Sequence, residues 1–81
     1  MTTVGIVGAG TMGAEIAHVA AVAGMQVLLA DADAERAAQG RDRAVAIAAR
    51  RVAKGRLDPA EAAAAAGRIT AVGGITDLAS A

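Results

Sequence analysis

The sequence predicts an α/β protein built on a parallel sheet, and three observations support that prediction. Short apolar runs alternate with longer segments of helical periodicity, in the order β-α-β-α-α-β. A cluster of glycines follows the first apolar run, and an aspartate follows the second. Strands that alternate with helices pair in parallel through right-handed crossovers. We therefore expect parallel strands in the spatial order 3-2-1, with helices on the faces of the sheet.

The first half of the chain contains two strand-like runs that flank a helix. Residues 4–7 (VGIV) and 26–30 (QVLLA) have the length and composition of buried strands. Between them, apolar residues recur at three- and four-residue spacing over residues 11–23, which predicts a helix that Gly24 ends. The apolar face of this helix comprises Met12, Ile16, Val19, Ala20 and Ala23.

Two polar residues of this first helix are predicted to face away from the sheet. His18 is the only histidine of the chain, and it lies about 200° around the helix from Ile16. Glu15 is expected in the first helical turn, where its charge suits the helix dipole but opposes a nearby phosphate. Since His18 should be an exposed helix residue, the sequence offers no general base, and we assign no catalytic residue.

The second half of the chain predicts two further helices and a third strand. A long helix extends from about residue 34 to residue 54, with Asp33 and Glu35 at its start, and Gly55 ends it. Asp58 is placed to cap a short alanine-rich helix that has Pro59 at its first position. Residues 68–72 form the third strand, before a glycine turn at 73–74 and a helix start at 76–78. On the long helix, one face holds Val45, Ala48, Ala49 and Val52, and a solvated face holds Arg41, Arg43, Arg50 and Arg51.

The main functional signal lies between the first strand and the first helix, in the motif Gly8-Ala9-Gly10-Thr11-Met12-Gly13. In a turn of this type, Gly8 permits the tight reversal, Gly10 lets a pyrophosphate approach bare backbone, and Gly13 lets the helix pack closely. The N-terminus of the helix then offers N–H groups and partial positive charge to the phosphates. The motif therefore predicts the phosphate-binding loop of a Rossmann-type, doubly wound dinucleotide-binding domain.

Asp31 directly follows the second predicted strand, at the edge where the glycine motif also lies. An acidic residue in this position accepts hydrogen bonds from the adenosine ribose hydroxyls of a dinucleotide. Its charge would repel a 2′-phosphate, so the sequence predicts NAD rather than NADP as the cofactor. The alternative interpretation is that the glycines only make turns and that Asp31 only caps a neighbouring segment.

Composition narrows the class of protein further. Eight basic and eight acidic residues balance, which argues against nucleic-acid and membrane partners. The chain has no cysteine and no basic leader, so we expect a cytoplasmic protein without cysteine-ligated metal, and we assign no metal site. With 81 residues and few large aliphatic side chains, the domain should be marginally stable. We expect the isolated chain to self-associate through the open edge of its first strand, or to stay largely unfolded.

The segments VGIVGAGTMGAEIA, AGMQVLLAD and VAKGRLDPAEA, followed by RIT and TDLA, resemble in this order the amino-terminal part of the 3-hydroxyacyl-CoA dehydrogenase family. The resemblance covers nearly the whole chain. It implies an NAD-binding Rossmann domain of an oxidoreductase in fatty acid metabolism, which interconverts 3-hydroxyacyl-CoA and 3-ketoacyl-CoA by hydride transfer. It implies that Gly8, Gly10, Gly13 and Asp31 hold the dinucleotide. It also implies that Lys54 contacts the acyl-CoA, although Ile47 replaces a serine that family members often carry.

The same resemblance implies that residues 1–81 form the first β-α-β-α-α-β half of the NAD-binding domain. The catalytic His–Glu pair of the family and its helical substrate and dimerisation domain belong to later segments. Two hypotheses follow. In one, the chain is the NAD-binding portion of such an oxidoreductase and is inactive by itself. In the other, it is a non-catalytic nucleotide-binding or interaction module in its own right.

Overall fold

The computed structural model describes residues 2–8 and 10–72 and confirms the predicted order of elements. The elements are β1 (Thr3–Val7), α1 (Thr11–Val22), β2 (Gln26–Ala30), α2 (Ala34–Ala53), α3 (Pro59–Arg68) and β3 (Ile69–Val72). The bounds differ slightly from those predicted, since β1 begins at Thr3 and Arg68 ends α3. The predicted turn at 73–74 and helix start at 76–78 lie outside the described residues.

The three strands form one parallel sheet in the order β1-β2-β3, which confirms the predicted strand order and the Rossmann-type α/β class. The register pairs Val7 with Ala30, and Ala30 with Val72. The carboxyl ends of all three strands therefore lie at the same edge of the sheet. Within the described part of the chain, β1 pairs with β2 only, so one side of β1 is an open edge.

The starts of α2 and α3 are fixed by local contacts that the sequence predicts. The carboxylate of Asp33 accepts a hydrogen bond from the Arg36 N–H group at 2.8 Å. The carboxylate of Asp58 accepts one from the Ala60 N–H group at 2.8 Å, and Pro59 stands in the first turn of α3. Each carboxylate thereby satisfies an N–H group that has no acceptor within its helix.

The core combines large side chains of the sheet with small side chains of α1. Leu29 and Val27, both on β2, are the largest fully buried side chains. The buried residues of α1 are Gly13, Ala14, Ala17, His18 and Ala21. Because this stripe is mostly glycine and alanine, α1 can approach the sheet, α2 and α3 closely. Ala17, in the middle of this stripe, is fully buried.

Most of the apolar face predicted for α1 is exposed, which contradicts its expected packing against the sheet, and of its members Ala20 packs against the core. Met12 is 77% exposed, Ile16 is 50% exposed and Val19 is 60% exposed. The periodicity of large apolar residues predicted which face of α1 is buried. The buried face is instead the adjacent stripe of mostly small residues, because small side chains allow the sheet, α2 and α3 to pack closely against α1. The exposed residues, with Ala20, Ala23 and Met25, instead line an open cavity of about 750 Å³ on the surface of the described structure.

The buried face of α2 is also shifted from the prediction. Its buried residues are Ala37, Gly40, Ala44, Ile47 and Ala48. Of the other predicted members, Ala49 is exposed, and Val45 and Val52 are half-buried. In an alanine-rich helix, alanine occurs on both the buried and the exposed face, so the spacing of apolar residues marks the buried face only weakly.

Arg41 was predicted on a solvated face, and the structure corrects this. It is half-buried, and its guanidinium donates to the carbonyl of Ile69 at 2.9 Å and to that of Ala66 at 3.1 Å. Arg68 acts in a similar way, since it donates to the carbonyl of Ala21 at 2.7 Å. These contacts join α2 to the α3–β3 junction and α3 to the end of α1. Within residues 2–8 and 10–72, no helix is long and apolar enough to cross a membrane.

Candidate functional site

The glycine turn after β1 is held against the end of β2. Gly8 adopts φ +92°, a backbone conformation that glycine accepts without strain. Its N–H group donates to the carbonyl of Ala30 at 2.9 Å, one position beyond the last β1–β2 pair. Ala9, the next residue of the predicted loop, lies outside the described residues. The turn therefore leaves the sheet beside the residue that immediately precedes Asp31.

The N-terminus of α1 opens directly onto this turn. Gly10 is the N-cap, with φ −71° and no side chain to bond the helix. The first helical hydrogen bond runs from the Ala14 N–H group to the Gly10 carbonyl at 2.9 Å, so the N–H groups of residues 11–13 precede the intrahelical pattern. The first turn contains no acidic side chain. These N–H groups and the helix dipole suit an anion such as a phosphate.

Two glycines of the motif have opposite surroundings. A Cβ atom added at Gly10 would meet nothing within 4 Å, so the space beside its backbone is open. A Cβ atom added at Gly13 would overlap the carbonyl oxygen of Gly8 and lie 3.1 Å from the carbonyl carbon. The helix therefore packs directly on the turn at Gly13, while Gly10 presents bare backbone to solvent. The close packing of α1 at Gly13 agrees with the sequence analysis, and the role of Gly10 in admitting a pyrophosphate stays a prediction.

Asp31 supplies the acceptor groups of the same edge. It follows the last residue of β2 and is half-buried, and its Oδ1 atom accepts from the Ala32 N–H group at 2.6 Å. A carboxylate can accept hydrogen bonds from ribose hydroxyls and repels a phosphate in the same place. N–H donors for a pyrophosphate and a carboxylate for a ribose thus lie on neighbouring strand ends. The residues present fit NAD.

Other predicted site residues are distributed differently. Thr11 and Met12 are exposed in the first turn of α1. Lys54 is the C-cap of α2 and is exposed. It lines a cavity at the end of α2 that includes none of the motif residues. Ile47, at the position of the serine frequent in the resembling family, is buried.

His18 is buried rather than exposed, which corrects the prediction. It is 3% exposed and belongs to the stripe of α1 that packs inward. Burial lowers the pKa of the His18 imidazole, and the positive charge of Arg51 lowers it further, against a smaller opposing effect of Glu15. The prediction failed because it assumed that α1 is covered by the sheet alone, whereas α2 and α3 cover a second side. The only histidine of the chain is therefore not exposed at the glycine turn.

The predicted position of Glu15 in the first helical turn is also wrong. The helix begins at Thr11, so Glu15 lies one full turn inside it and not in the first turn. Its side chain lines two neighbouring cavities between α1 and α2. Opposition between this carboxylate and a phosphate at the helix N-terminus is correspondingly weaker. In the part of the chain that the structure describes, no group of three or more potential metal-ligating side chains occurs.

Sequence reasoning missed the cluster of cations around Lys54. Arg50, Arg51, Lys54 and Arg56 line one cavity, although Arg50 and Arg51 were predicted only as part of a solvated face. Arg56 had no predicted role. The available signal was the spacing of basic residues around Gly55 at the end of a long helix.

Comparison with known proteins identifies the family to which this site belongs. Residues 3–81 match the family model described as the NAD binding domain of 3-hydroxyacyl-CoA dehydrogenase. The chain belongs to the 3-hydroxyacyl-CoA dehydrogenase family. NAD is therefore the cofactor of this domain, as predicted from the glycine motif and Asp31.

Relatives of known name agree with this family. The chain is 42% identical over 76 residues to a 3-hydroxybutyryl-CoA dehydrogenase of Bradyrhizobium diazoefficiens, covering 94% of the chain and 26% of that protein. Its fold is similar to the crystal structure of 3-hydroxybutyryl-CoA dehydrogenase from Escherichia coli K12, with a TM-score of 0.86 and 40% sequence identity. That match covers the whole of this chain and 17% of the E. coli chain. The (S)-3-hydroxybutyryl-CoA dehydrogenase of Ralstonia eutropha gives a TM-score of 0.86 and 37% identity over 96% of this chain. The chain spans 28% of that structure.

Proposed function

We propose that this chain is the NAD-binding portion of an enzyme that interconverts 3-hydroxyacyl-CoA and 3-ketoacyl-CoA, and that residues 1–81 form the amino-terminal half of its dinucleotide-binding domain. The observation that most supports NAD binding is the hydrogen bond from Gly8 to Ala30, because it sets the glycine turn and the N-terminus of α1 beside Asp31. Membership of the family and 42% identity to a 3-hydroxybutyryl-CoA dehydrogenase support the reaction class.

In this proposal the residues that surround the dinucleotide are Gly8, Ala9, Gly10, Thr11, Met12, Gly13 and Asp31. The N–H groups of the first turn of α1 donate to the pyrophosphate, and the open space at Gly10 admits it. The carboxylate of Asp31 accepts from the adenosine ribose hydroxyls and disfavours a 2′-phosphate. When bound, NAD supplies the group that accepts or returns the hydride.

In this proposal Lys54 contacts the acyl-CoA, because its exposed ammonium group can attract a phosphate group. The alternative is that Lys54 only stabilises α2, since a positive charge at the C-terminus of a helix interacts favourably with the helix dipole. We assign no catalytic residue and no metal to the described residues, since His18 is buried and no metal-ligating cluster occurs among them.

We expect Asp31→Ala to weaken NAD binding by about 10- to 100-fold, because hydrogen bonds to a charged group contribute about 1.5–3 kcal/mol. Isothermal titration calorimetry with NAD and with NADP measures both affinity and cofactor preference. The wild-type chain should bind NAD more tightly than NADP, and Asp31→Ala should reduce that difference. Asp42→Ala removes the same charge from an exposed position of α2 and should leave both affinities unchanged. Equal affinity of the wild-type chain for the two dinucleotides would contradict the role of Asp31.

We also propose that the isolated chain self-associates. The open edge of β1 supports this proposal, because an unpaired strand edge recruits further strands. The exposed Ile16 and Val19 of α1 offer a second apolar surface. Sedimentation velocity should show a mass that rises with concentration, and Val19→Lys should leave this rise intact if the β1 edge is responsible. A compact monomer at high concentration would refute the proposal.

A cytoplasmic location completes the proposal. It is supported by the absence of cysteine, which is compatible with a reducing compartment. The balanced charge likewise supports the absence of nucleic-acid and membrane partners. Recovery of an epitope-tagged chain from the membrane fraction of fractionated cells would contradict the location and the absence of a membrane partner.

A further inference from the structure

We propose that His18 makes the packing of α1 sensitive to acid, because protonation of its imidazole at the junction of α1, α2 and α3 loosens α1 from the other two helices. His18 is 3% exposed. It is the one polar or charged residue among the buried residues of the part of the chain that the structure describes. The proposed function gives this side chain no role, and the inference goes beyond that function.

The size of the His18 side chain sets it apart from the stripe of α1 in which it lies. The other buried residues of α1 are Gly13, Ala14, Ala17 and Ala21. These small residues let α2 and α3 approach α1 closely, and the imidazole is the one large group of the buried stripe. Protein interiors are packed as densely as organic crystals, so the ring has little room to move away from its neighbours. A change in its charge therefore acts directly on the contact between the helices.

Cations reach this junction from both helices that cover α1. Burial lowers the pKa of the His18 imidazole, and the positive charge of Arg51 on α2 lowers it further. On α3, the guanidinium of Arg68 donates to the carbonyl of Ala21 at 2.7 Å, less than one helical turn along α1 from His18. The opposing charge is the carboxylate of Glu15 on α1, whose effect on the pKa of His18 is smaller than that of burial or of Arg51.

The remaining ionisable groups near α1 do not offset these cations. Neither strand that packs on α1 has a titratable side chain, since β1 reads TVGIV and β2 reads QVLLA. The acidic residue of α3, Glu61, lies exposed in its first turn, at the other end of that helix from Arg68. On α2 and its C-cap, the ionisable residues that line the cavities beside Glu15 are all basic: Arg43, Arg50, Arg51 and Lys54.

Protonation of His18 therefore adds a positive charge at a buried position where cations outnumber carboxylates. A buried charge without full compensation is costly, and the cost falls if water reaches the ring. Loosening of α1 admits that water. The same helix packs on the glycine turn at Gly13, and its first-turn N–H groups belong to the candidate site. Acid thus acts on the element that joins the core to the dinucleotide edge.

The direction of the pH dependence follows from the lowered pKa of His18. The unfolded chain takes up a proton on His18 near the ordinary pKa of about 6.5, and the folded chain does so only at a lower pH. Between these two values the folded state binds fewer protons than the unfolded state. The contribution of the neutral imidazole to stability is therefore complete above about pH 6.5, and it decreases as the pH falls towards the lowered pKa.

Proton NMR titration of the 81-residue chain tests the inference directly, because one histidine gives one set of imidazole C–H signals. We expect the pKa of His18 to lie below its ordinary value. The amide signals of Ala17 and Ala21 should shift with the same midpoint as the imidazole, while those of β3 do not. Arg51→Gln removes an exposed guanidinium and should raise the pKa of His18. The matched control is Arg36→Gln, at the other end of α2, which should leave that pKa unchanged.

Urea unfolding between about pH 5 and pH 8 measures the consequence for stability. The midpoint of the wild-type chain should fall as the pH decreases through this range, and His18→Gln should remove most of that fall. An imidazole that titrates at or above its ordinary pKa overturns the inference, as does a His18→Gln variant with the wild-type pH dependence. Amide shifts confined to His18, or shared by the whole chain, contradict a loosening of α1. If His18→Gln fails to fold, the pKa of His18 in Arg51→Gln decides, and an unchanged value overturns the inference.

Discussion

Replacement of Gly13 by alanine is expected to destabilise the chain more than any other single methyl addition in α1. The new Cβ atom would overlap the carbonyl oxygen of Gly8. That carbonyl has little room to move, because Gly8 is fixed by φ +92° and by its hydrogen bond to Ala30. Overpacking of a core costs about 1–3 kcal/mol and sometimes more. In a domain of this size such a loss is a large part of the total stability.

Urea unfolding followed by far-UV circular dichroism measures this effect, and Gly67→Ala is the matched control. Gly67 lies in α3, and a Cβ atom there would meet nothing within 4 Å. Alanine has a helix propensity higher than that of glycine by about 1 kcal/mol, so this control should be neutral or stabilising. We expect Gly13→Ala to lower the unfolding midpoint sharply or to leave no cooperative transition. An unchanged midpoint would show that the close packing of α1 on the turn is wrong.

The features that the sequence predicts well are those whose cause is local. The caps at Asp33 and Asp58 depend on residues two or three positions away, and both are present. The parallel pairing follows from the alternation of strands and helices, and the glycine turn follows from its own motif. The second strand can be located from its own apolar residues, so the position of Asp31 directly after it could also be predicted.

The features that the sequence predicts poorly depend on which neighbour covers a helix. His18 is buried because α2 and α3 pack on a side of α1 that periodicity assigns to solvent. Arg41 is half-buried because two carbonyl groups at the α3–β3 junction, distant in sequence, accept its hydrogen bonds. The exposed Ile16 shows the converse, since an apolar side chain faces out where the described residues place nothing against it. Such contacts are set by tertiary packing, which overrides local pattern.

One part of the candidate site could likewise be predicted from the sequence, and another part could not. The dinucleotide edge could be predicted, because strand ends bring Gly8 and Asp31 together through regular pairing. The cluster of cations around Lys54 could not be predicted from charge periodicity alone. Its members meet because Gly55 reverses the chain after α2 and sets Arg56 beside the last helical turn.

Gly10→Val should abolish detectable NAD binding while the chain keeps its fold. The backbone at Gly10 has φ −71° and ψ −169°, which valine adopts readily, and a Cβ atom there meets nothing within 4 Å. The substitution therefore causes no clash in the free protein, and its cost is that of a less favourable N-cap residue, about 1 kcal/mol. It fills the space through which the pyrophosphate would approach the N–H groups of α1, and loss of even two such charge-assisted bonds corresponds to about 100-fold or more in affinity.

Calorimetry with NAD and thermal unfolding of the same samples test this expectation together. Gly10→Ala should give an intermediate loss of affinity, because its side chain is smaller, and Gly67→Val adds the same side chain to α3, away from the turn. We expect Gly67→Val to bind NAD as the wild type does, and Gly10→Val to unfold near the wild-type temperature. Retention of NAD binding by Gly10→Val would remove the basis for a pyrophosphate site at this turn. A loss of binding that accompanies unfolding would instead contradict the open space that surrounds Gly10.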